Sequence, residues 1–240
     1  MITKNQIKSI SQLKQKKFRL LNKQFVVEGK KGVDELLRSD LKLVYIVTTT
    51  PNDYLSYGSK CIEAKAVDLE KMSSLTTAPD CLAVFEMPEK VEVDTNGLIV
   101  ALDDVRDPGN LGTIIRLCDW FGIEHLICSD ETVDVYNPKV VQATMGSITR
   151  VNVVYTNLNT FLSNYSHEIY GTFMDGDNVY KESLLDKGCI VMGNEANGIS
   201  QEIENLVTKR ISIPRFGKLQ QTESLNVAMA TSIILSEFRR

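Results

Sequence analysis

The strongest constraint on the fold lies in residues 98–240, where short apolar segments alternate with segments of helical pattern. The apolar segments predict strands: LIVALD, HLICS, RVNVVY, EIYGTFM, CIVMG and RISIP. The segments between and after them predict helices: TIIRLCDWFG, PKVVQATMGSI, QEIENLV and SLNVAMATSIILSEF. Nearly continuous apolar strands that alternate with helices are typical of a mostly parallel sheet covered on both faces. We therefore predict an α/β domain over residues 98–240.

A second, smaller α/β domain is predicted over residues 1–88. QFVVEG, LKLVYIVTT and LAVFEM read as strands, KKGVDELLRSD reads as a helix, and a short helix is expected from Asp68, a suitable N-cap. The polar stretch that ends at Gly97 indicates a linker over residues 89–97.

Composition excludes several classes of protein. No run of 18 apolar residues occurs, which predicts no membrane span, and the basic N-terminus lacks the apolar core of a signal peptide. The five cysteines are scattered, and the two histidines, His125 and His167, stand apart from each other. This pattern favours a reducing compartment over a disulfide framework or a metal site. We expect a cytoplasmic protein without a metal.

Charge is distributed unevenly along the chain. The net charge is −4, but residues 1–31 hold nine basic residues against the single acid Glu28, so this segment carries +8 and the remainder −12. A basic segment on an acidic body is typical of an arm that meets phosphate. The alternative is an ordinary solvated helix face.

Three glycine-bearing segments follow predicted strands, where open parallel sheets bind ligands. In the first, DDVRDPGNLGTIIR, Asn110 can cap the next helix, Gly112 permits close backbone approach, and Arg116 can border the same cleft as Asn110. Taken alone, the segment is also compatible with an ordinary strand–turn–helix that carries a surface arginine.

The second segment, VMGNEANGIS, comes close to a phosphate-binding P-loop, but Ile199 stands where that loop needs lysine, which argues against a nucleoside triphosphatase. It otherwise reads as a plain turn or as a backbone-rich loop that carries the acid Glu195.

The third segment, IPRFGKLQQTESLNVAMATSIILSEF, places Ser224 as a natural N-cap before an apolar helix. Such a helix is usually core or a dimer face, but Asn226 in its first turn is less easily explained by packing.

In this order, the three segments resemble the three motifs of the SpoU-type, or TrmH-type, RNA ribose 2'-O-methyltransferases of the SPOUT superfamily. Motif one corresponds to Asn110, Gly112 and Arg116. Motif two is Gly193-Asn194-Glu195, and motif three runs from Ile213-Pro214 to Ser224-Leu225-Asn226-Val227. The N-terminal sequence KQKKFR followed by FVVEGKKGVDELL is similar to the substrate-binding domain, like certain ribosomal proteins, that precedes the catalytic domain in many members.

The resemblance implies a SPOUT-like sheet with a deep trefoil knot, S-adenosylmethionine as cofactor, RNA as substrate with ribosomal RNA favoured over transfer RNA, and a homodimer through the knotted domain. It implies catalytic roles for Arg116, Asn110, Glu195, Ser224 and Asn226, with Asn110 orienting Arg116. It implies cofactor contacts from Gly193, Asn194, Ile213, Pro214 and Leu225. The basic residues expected to grip RNA are Lys14, Lys16, Lys17, Arg19, Lys30 and Lys31.

Two departures from the family pattern lie in motif three. Arg215 stands where methionine usually follows Ile-Pro, and the stretch from Pro214 to Ser224 is longer than the common form. Both changes fall in a loop expected near the cofactor, so they bear on cofactor contacts or substrate choice. The alternatives from other classes are a non-catalytic RNA-binding or ribosome-assembly factor that keeps the fold, and a nucleotide hydrolase.

Overall fold

The computed structural model describes residues 1–89, 91–219 and 224–240, and the chain divides into two compact units. The first unit comprises the described residues of 1–90 together with 134–149, and the second those of 91–133 and 150–240. The predicted boundaries placed all of residues 98–240 in one domain, whereas in the structure residues 134–149 pack with the first unit.

Helices and strands alternate along most of the chain. The helices are α1 (Lys4–Gln12), α2 (Lys16–Asn22), α3 (Lys30–Leu37), α4 (Ala66–Met72), α5 (Pro108–Trp120), α6 (Pro138–Thr144), α7 (Leu158–Ser163), α8 (Gln201–Glu204) and α9 (Val227–Phe238). The strands are β1 (Gln24–Glu28), β2 (Leu43–Thr48), β3 (Cys61–Glu63), β4 (Cys81–Glu86), β5 (Leu98–Leu102), β6 (His125–Cys128), β7 (Asn152–Tyr155), β8 (Ile169–Asn178), β9 (Gly188–Met192) and β10 (Lys209–Ser212). Short 3-10 segments lie at Pro51–Lys60, Ser147–Thr149 and Val179–Lys181.

The first unit is built on a four-stranded sheet in the order β1-β4-β2-β3, antiparallel except for the β2–β3 pair. Phe25 of β1 lies opposite Phe85 of β4, and both are fully buried. Residues 134–149 help to complete this core, because Tyr136 packs its ring 4.7 Å from that of Phe25 and Val141 of α6 joins the same cluster. The apolar face of α6 therefore explains why this segment belongs to the first unit.

The second unit contains a six-stranded sheet in the order β10-β8-β9-β5-β6-β7, and every neighbouring pair is parallel. The predicted α/β class with a parallel sheet is confirmed. Central strands β5 and β9 are buried along their whole length. Since all six strands run the same way, their carboxyl ends meet at one edge, which is where such sheets bind ligands. The trefoil knot implied by the resemblance stays a prediction.

Three predicted helix caps are wrong. Helix α5 begins at Pro108 and is capped by Asp107, whose carboxylate accepts the backbone N–H of Asn110, so Asn110 lies inside the first turn. Helix α9 is capped by Asn226, and Ser224 lies before the helix. Helix α4 begins at Ala66, so that Asp68 falls in its first turn. Proline at the first helical position explains the early start of α5, because proline presets the helical φ.

The longest described helix, α5, has 13 residues. Within the part of the chain that the structure describes, no helix combines the length and the apolar character needed to cross a membrane.

Candidate active site

The first wall of the site is the turn that follows β5. Asp103 is 7% exposed, and its carboxylate accepts the backbone N–H of Ser200 at 2.7 Å. Asp104 adopts a left-handed backbone conformation with φ of 59°, which is uncommon for a residue with a side chain. Its N–H donates to the Ser129 hydroxyl at 3.0 Å, and its carboxylate accepts from Nε of Arg106 at 2.8 Å. Hydrogen bonds to Ser200, Ser129 and Arg106 therefore fix the conformation of this turn.

The second wall is the loop after β9, which closes into a tight turn. Asn194 and Gly198 exchange two backbone hydrogen bonds, of 2.9 and 3.0 Å. The Asn194 side chain accepts from two amides of the same loop and donates to the carbonyl of Asp104 at 2.6 Å, which ties this loop to the turn after β5. A Cβ on Gly193 would lie 2.2 Å from the carbonyl carbon of Gly198, so only glycine fits there.

A chain of hydrogen bonds joins one polar residue from each of the three motifs. Asn226 donates from Nδ2 to Oδ1 of Asn110 at 2.9 Å, and Asn110 donates from Nδ2 to Oε1 of Glu195 at 2.9 Å. Glu195 also accepts the backbone N–H groups of Arg106 at 3.3 Å and Asp107 at 3.2 Å. Residues separated by up to 116 positions thus form one network at the carboxyl edge of the sheet.

The network fixes the ionisation of Glu195. Burial alone raises the pKa of this carboxyl, but hydrogen bonds from the Asn110 side chain and from the amides of Arg106 and Asp107 outweigh it and hold the pKa below its ordinary value. Glu195 is therefore an ionised acceptor near neutral pH. With three donors already on its two oxygens, it orients Asn110 and is poorly placed to take a proton from substrate.

Arg116 lies on the exposed side of α5 together with Thr113 and Trp120. The expectation that Asn110 orients Arg116 is not met, because the Asn110 amide is engaged with Glu195 and Asn226 and no hydrogen bond joins it to Arg116 among the described residues. Arg116 is exposed on the same helix as Asn110 and makes none of the hydrogen bonds described for this network.

The residues expected at the cofactor follow strand ends at the same edge. Gly193 and Asn194 follow β9, and Ile213 and Pro214 follow β10, half-buried in each case. Leu225 is half-exposed directly before the Asn226 cap, and Ser224 is exposed beside it. Backbone groups flanked by apolar side chains suit the adenosine part of S-adenosylmethionine, so these segments fit that cofactor. Nothing in the described ranges brings together three side chains that could hold a metal ion.

Of the basic residues expected to grip RNA, Arg19 is placed differently. It is 2% exposed, pairs with Asp134 at 2.5 Å and donates to the carbonyls of Leu13 and Lys14. The prediction of Arg19 as an RNA contact is wrong, because its guanidinium is buried in the first unit and is already paired there. The sequence pattern showed its charge but not its burial.

The remaining five lysines are exposed. Lys14 donates to the carbonyl of Ser73 at 2.6 Å, and Lys30 pairs with Asp53 at 3.0 Å. Lys16 and Lys17 lie on α2, and Lys31 lies in the first turn of α3.

Sequence reasoning missed Asp103, Asp104 and Asp107 as residues that shape the site. The available signals were the two acids directly after an apolar strand and the Asp-Pro pair, which commonly starts a helix.

Comparison with known proteins places this geometry in a family. The SpoU rRNA methylase family model matches residues 97–236, and the MRM3-like substrate binding domain matches residues 4–83. The 23S rRNA (guanosine(2553)-2'-O)-methyltransferase RlmP of Bacillus subtilis is 31% identical over 98% of this chain and 97% of its own length.

Two solved structures of RNA methyltransferases are also similar to this chain. A TrmH-family RNA methyltransferase structure from Porphyromonas gingivalis superposes with a TM-score of 0.90 at 38% identity, covering 100% of this chain and 98% of that one. An AdoMet-bound rRNA methyltransferase from Sinorhizobium meliloti gives 0.87 at 28% identity, covering 100% and 95%. The chain belongs to the SpoU rRNA methylase family.

Proposed function

We propose that this chain transfers the methyl group of S-adenosylmethionine to a ribose 2'-hydroxyl of RNA, with 23S ribosomal RNA as its substrate. The observation that carries the proposal is the hydrogen-bond chain from Asn226 through Asn110 to Glu195, which unites the three motifs at the ligand-binding edge of a parallel sheet. RlmP, which matches along nearly the whole chain, acts on 23S rRNA by its name, and the Sinorhizobium structure holds AdoMet.

Methyl transfer from a sulfonium is an in-line displacement, and S-adenosylmethionine supplies the electrophilic carbon. The ribose oxygen forms its new C–O bond as the C–S bond of the sulfonium breaks, the neutral thioether leaves, and the hydroxyl proton passes to solvent water. The chain must therefore align the ribose hydroxyl and ease removal of its proton, so that positioning dominates. The network around Glu195 is suited to positioning, because each polar group has a fixed partner. We assign the contact with the nucleotide to Ser224, which is exposed two residues before Asn226.

Arg116 is an exposed cation on the same helix as Asn110. A guanidinium holds its proton with a pKa above about 12, which makes it a poor base. Its role is to bind the substrate phosphate and to stabilise the negative charge that develops on the ribose oxygen.

The test is methyl transfer from labelled S-adenosylmethionine to unmodified 23S rRNA and to unmodified transfer RNA, measured separately. Resistance of the labelled dinucleotide to alkali identifies the 2'-O position. Arg116→Ala should remove methylation and leave cofactor affinity nearly unchanged. Arg240→Ala serves as the control, because Arg240 is also exposed and its ion pair with Glu237 lies outside the network. Label in transfer RNA alone would refute the ribosomal substrate, and equal loss of methylation and cofactor affinity would refute the role of Arg116.

Homodimer formation through the second unit belongs to this proposal. Helices α5 and α9 pack together, and each carries an exposed apolar side chain: Trp120 of α5 is 84% exposed and Met229 of α9 is 66% exposed. Large apolar side chains so exposed favour burial against a second copy.

The five cysteines are free thiols, which supports a cytoplasmic location.

A further inference from the structure

The outward face of α2 is unusual for a helix at a protein surface. Leu20 and Leu21 are 57% and 77% exposed, while Arg19 on the opposite side is buried. Lys16 and Lys17 are exposed one turn earlier. Residues four apart lie on the same helix face, so Lys16 lies below Leu20 and Lys17 below Leu21. The outward surface is thus a pair of leucines beside a pair of lysines, which we call the α2 patch.

Comparison within the first unit shows that this patch is not a general property of its surface. The exposed positions of α1 are polar, among them Lys4, Asn5 and Lys8. Leu55, 70% exposed, has no large exposed apolar neighbour in sequence. Among the described residues of this unit, Leu20 and Leu21 are the one pair of large exposed apolar side chains adjacent in sequence.

The charge around the patch identifies its partner. Residues 1–27 contain seven basic residues and no acidic one, and Lys23 extends the exposed positive charge past the end of α2. With Arg19 neutralised by Asp134, the remaining positive charge of the segment belongs to exposed lysines. A surface with this charge is complementary to a polyanion.

Lysines alone would suffice to hold a phosphate backbone, so the leucines require a partner with an apolar face as well. Unstacked nucleotides of RNA loops offer both, since specific recognition of RNA commonly uses bases splayed out of the helix. Apolar side chains also serve as wedges between bases.

We propose that Leu20 and Leu21 pack against an unstacked base of the RNA substrate while Lys16 and Lys17 bind the phosphates beside it. This inference rests on the proposed function, because it names the contact by which the same RNA is held. It assigns to the leucines a salt-independent share of RNA affinity and to the lysines a salt-dependent one.

The experiment measures binding of an unmodified 23S rRNA transcript by filter binding at a series of salt concentrations. The variants are L20S/L21S, K16Q/K17Q and the matched control L55S, which removes an equally exposed leucine from the same unit. L20S/L21S should weaken binding about tenfold at every salt concentration and leave the salt slope unchanged, because the lost contact is apolar. K16Q/K17Q should reduce the slope of log affinity against log salt by about 1.4 to 1.8.

Affinity of L20S/L21S within twofold of L55S would overturn the inference. The same holds if L20S/L21S binds the naked transcript normally but methylates a ribosomal particle poorly, since the patch would then contact protein. Failure of the proposed function is distinguishable, because the wild-type chain would then transfer no methyl group even at saturating transcript.

Discussion

Replacing Glu195 by glutamine tests whether this residue acts by orienting Asn110. The carboxylate accepts three hydrogen bonds, from the amides of Arg106 and Asp107 and from Nδ2 of Asn110. Glutamine has the same size but one acceptor oxygen, so its NH2 group must face one of these donors. The longest of the three bonds, 3.3 Å from Arg106, is the one most easily lost.

The magnitude follows from the hydrogen bonds. A hydrogen bond to a charged group contributes about 1.5–3 kcal/mol and a neutral one about 0.5–1.5 kcal/mol. Because Glu195 is exposed, the lower end of each range applies. In the variant, two hydrogen bonds lose their charge and the third donor faces an NH2 group, and together these changes cost about 2 kcal/mol. If that energy holds Asn110 in its reactive orientation, turnover falls about 30-fold.

The assay is turnover of methyl transfer at saturating 23S rRNA and S-adenosylmethionine, with Glu202→Gln as the control, since Glu202 is an exposed acid of α8 outside the network. RNA affinity should not change in either variant. Turnover of Glu195→Gln within twofold of the wild type would refute the reasoning.

The same network predicts a pH dependence. Because the pKa of Glu195 in the folded chain is below its ordinary value of 4.5, its contribution is complete above that value and is lost as the pH falls through the lowered pKa. Turnover of the wild type should fall in that acidic range, and Glu195→Gln should lack this transition when turnover is measured as a function of pH. An identical acidic transition in both proteins would assign it to another group.

Three further predictions concern other parts of the chain. Asp134→Asn leaves the buried guanidinium of Arg19 without its counter-charge and should lower the free energy of unfolding by about 3–5 kcal/mol in urea, where a loss below about 1 kcal/mol would contradict the burial argument. Gly193→Ala should weaken S-adenosylmethionine binding at least about tenfold by calorimetry, because its Cβ would overlap Gly198, and unchanged affinity would refute a cofactor role for this turn. Met229→Glu should shift sedimentation from dimer to monomer, and an unchanged sedimentation coefficient would place any dimer interface elsewhere.

Much of the second unit could be predicted from the sequence because its strands are apolar on both faces. That property alone indicates a parallel sheet, and a parallel sheet places the loops after its strands at one edge. Helices α1 and α2 were predicted only as the alternative of a solvated helix face, because they are short and rich in lysine, although Thr3 and Gln6 form a capping box that marks the start of α1.

The parts that sequence could not supply depend on contacts between distant residues. Arg19 looked like one more cation in a basic segment, yet its partner Asp134 lies 115 positions away. The pairing of Asn110 with Asn226, rather than with Arg116, likewise depends on how α5 and α9 pack. Local patterns give the type of a residue and its place on an element, but the partner of a polar group is decided by tertiary structure.

The orientation of the site can be traced from backbone to side chain. Asn226 uses its Oδ1 to accept two N–H groups at the start of α9, so its Nδ2 must point away from the helix, toward Asn110. Glu195, which can only accept, requires Nδ2 of Asn110 on its own side and therefore turns Oδ1 of Asn110 toward Asn226. Both ends of the network are thus fixed by backbone amides, of α9 at one end and of the turn before α5 at the other. The side chain of Asn110 has one orientation that satisfies both neighbours, and this is the preorganisation that an alignment-limited methyl transfer needs.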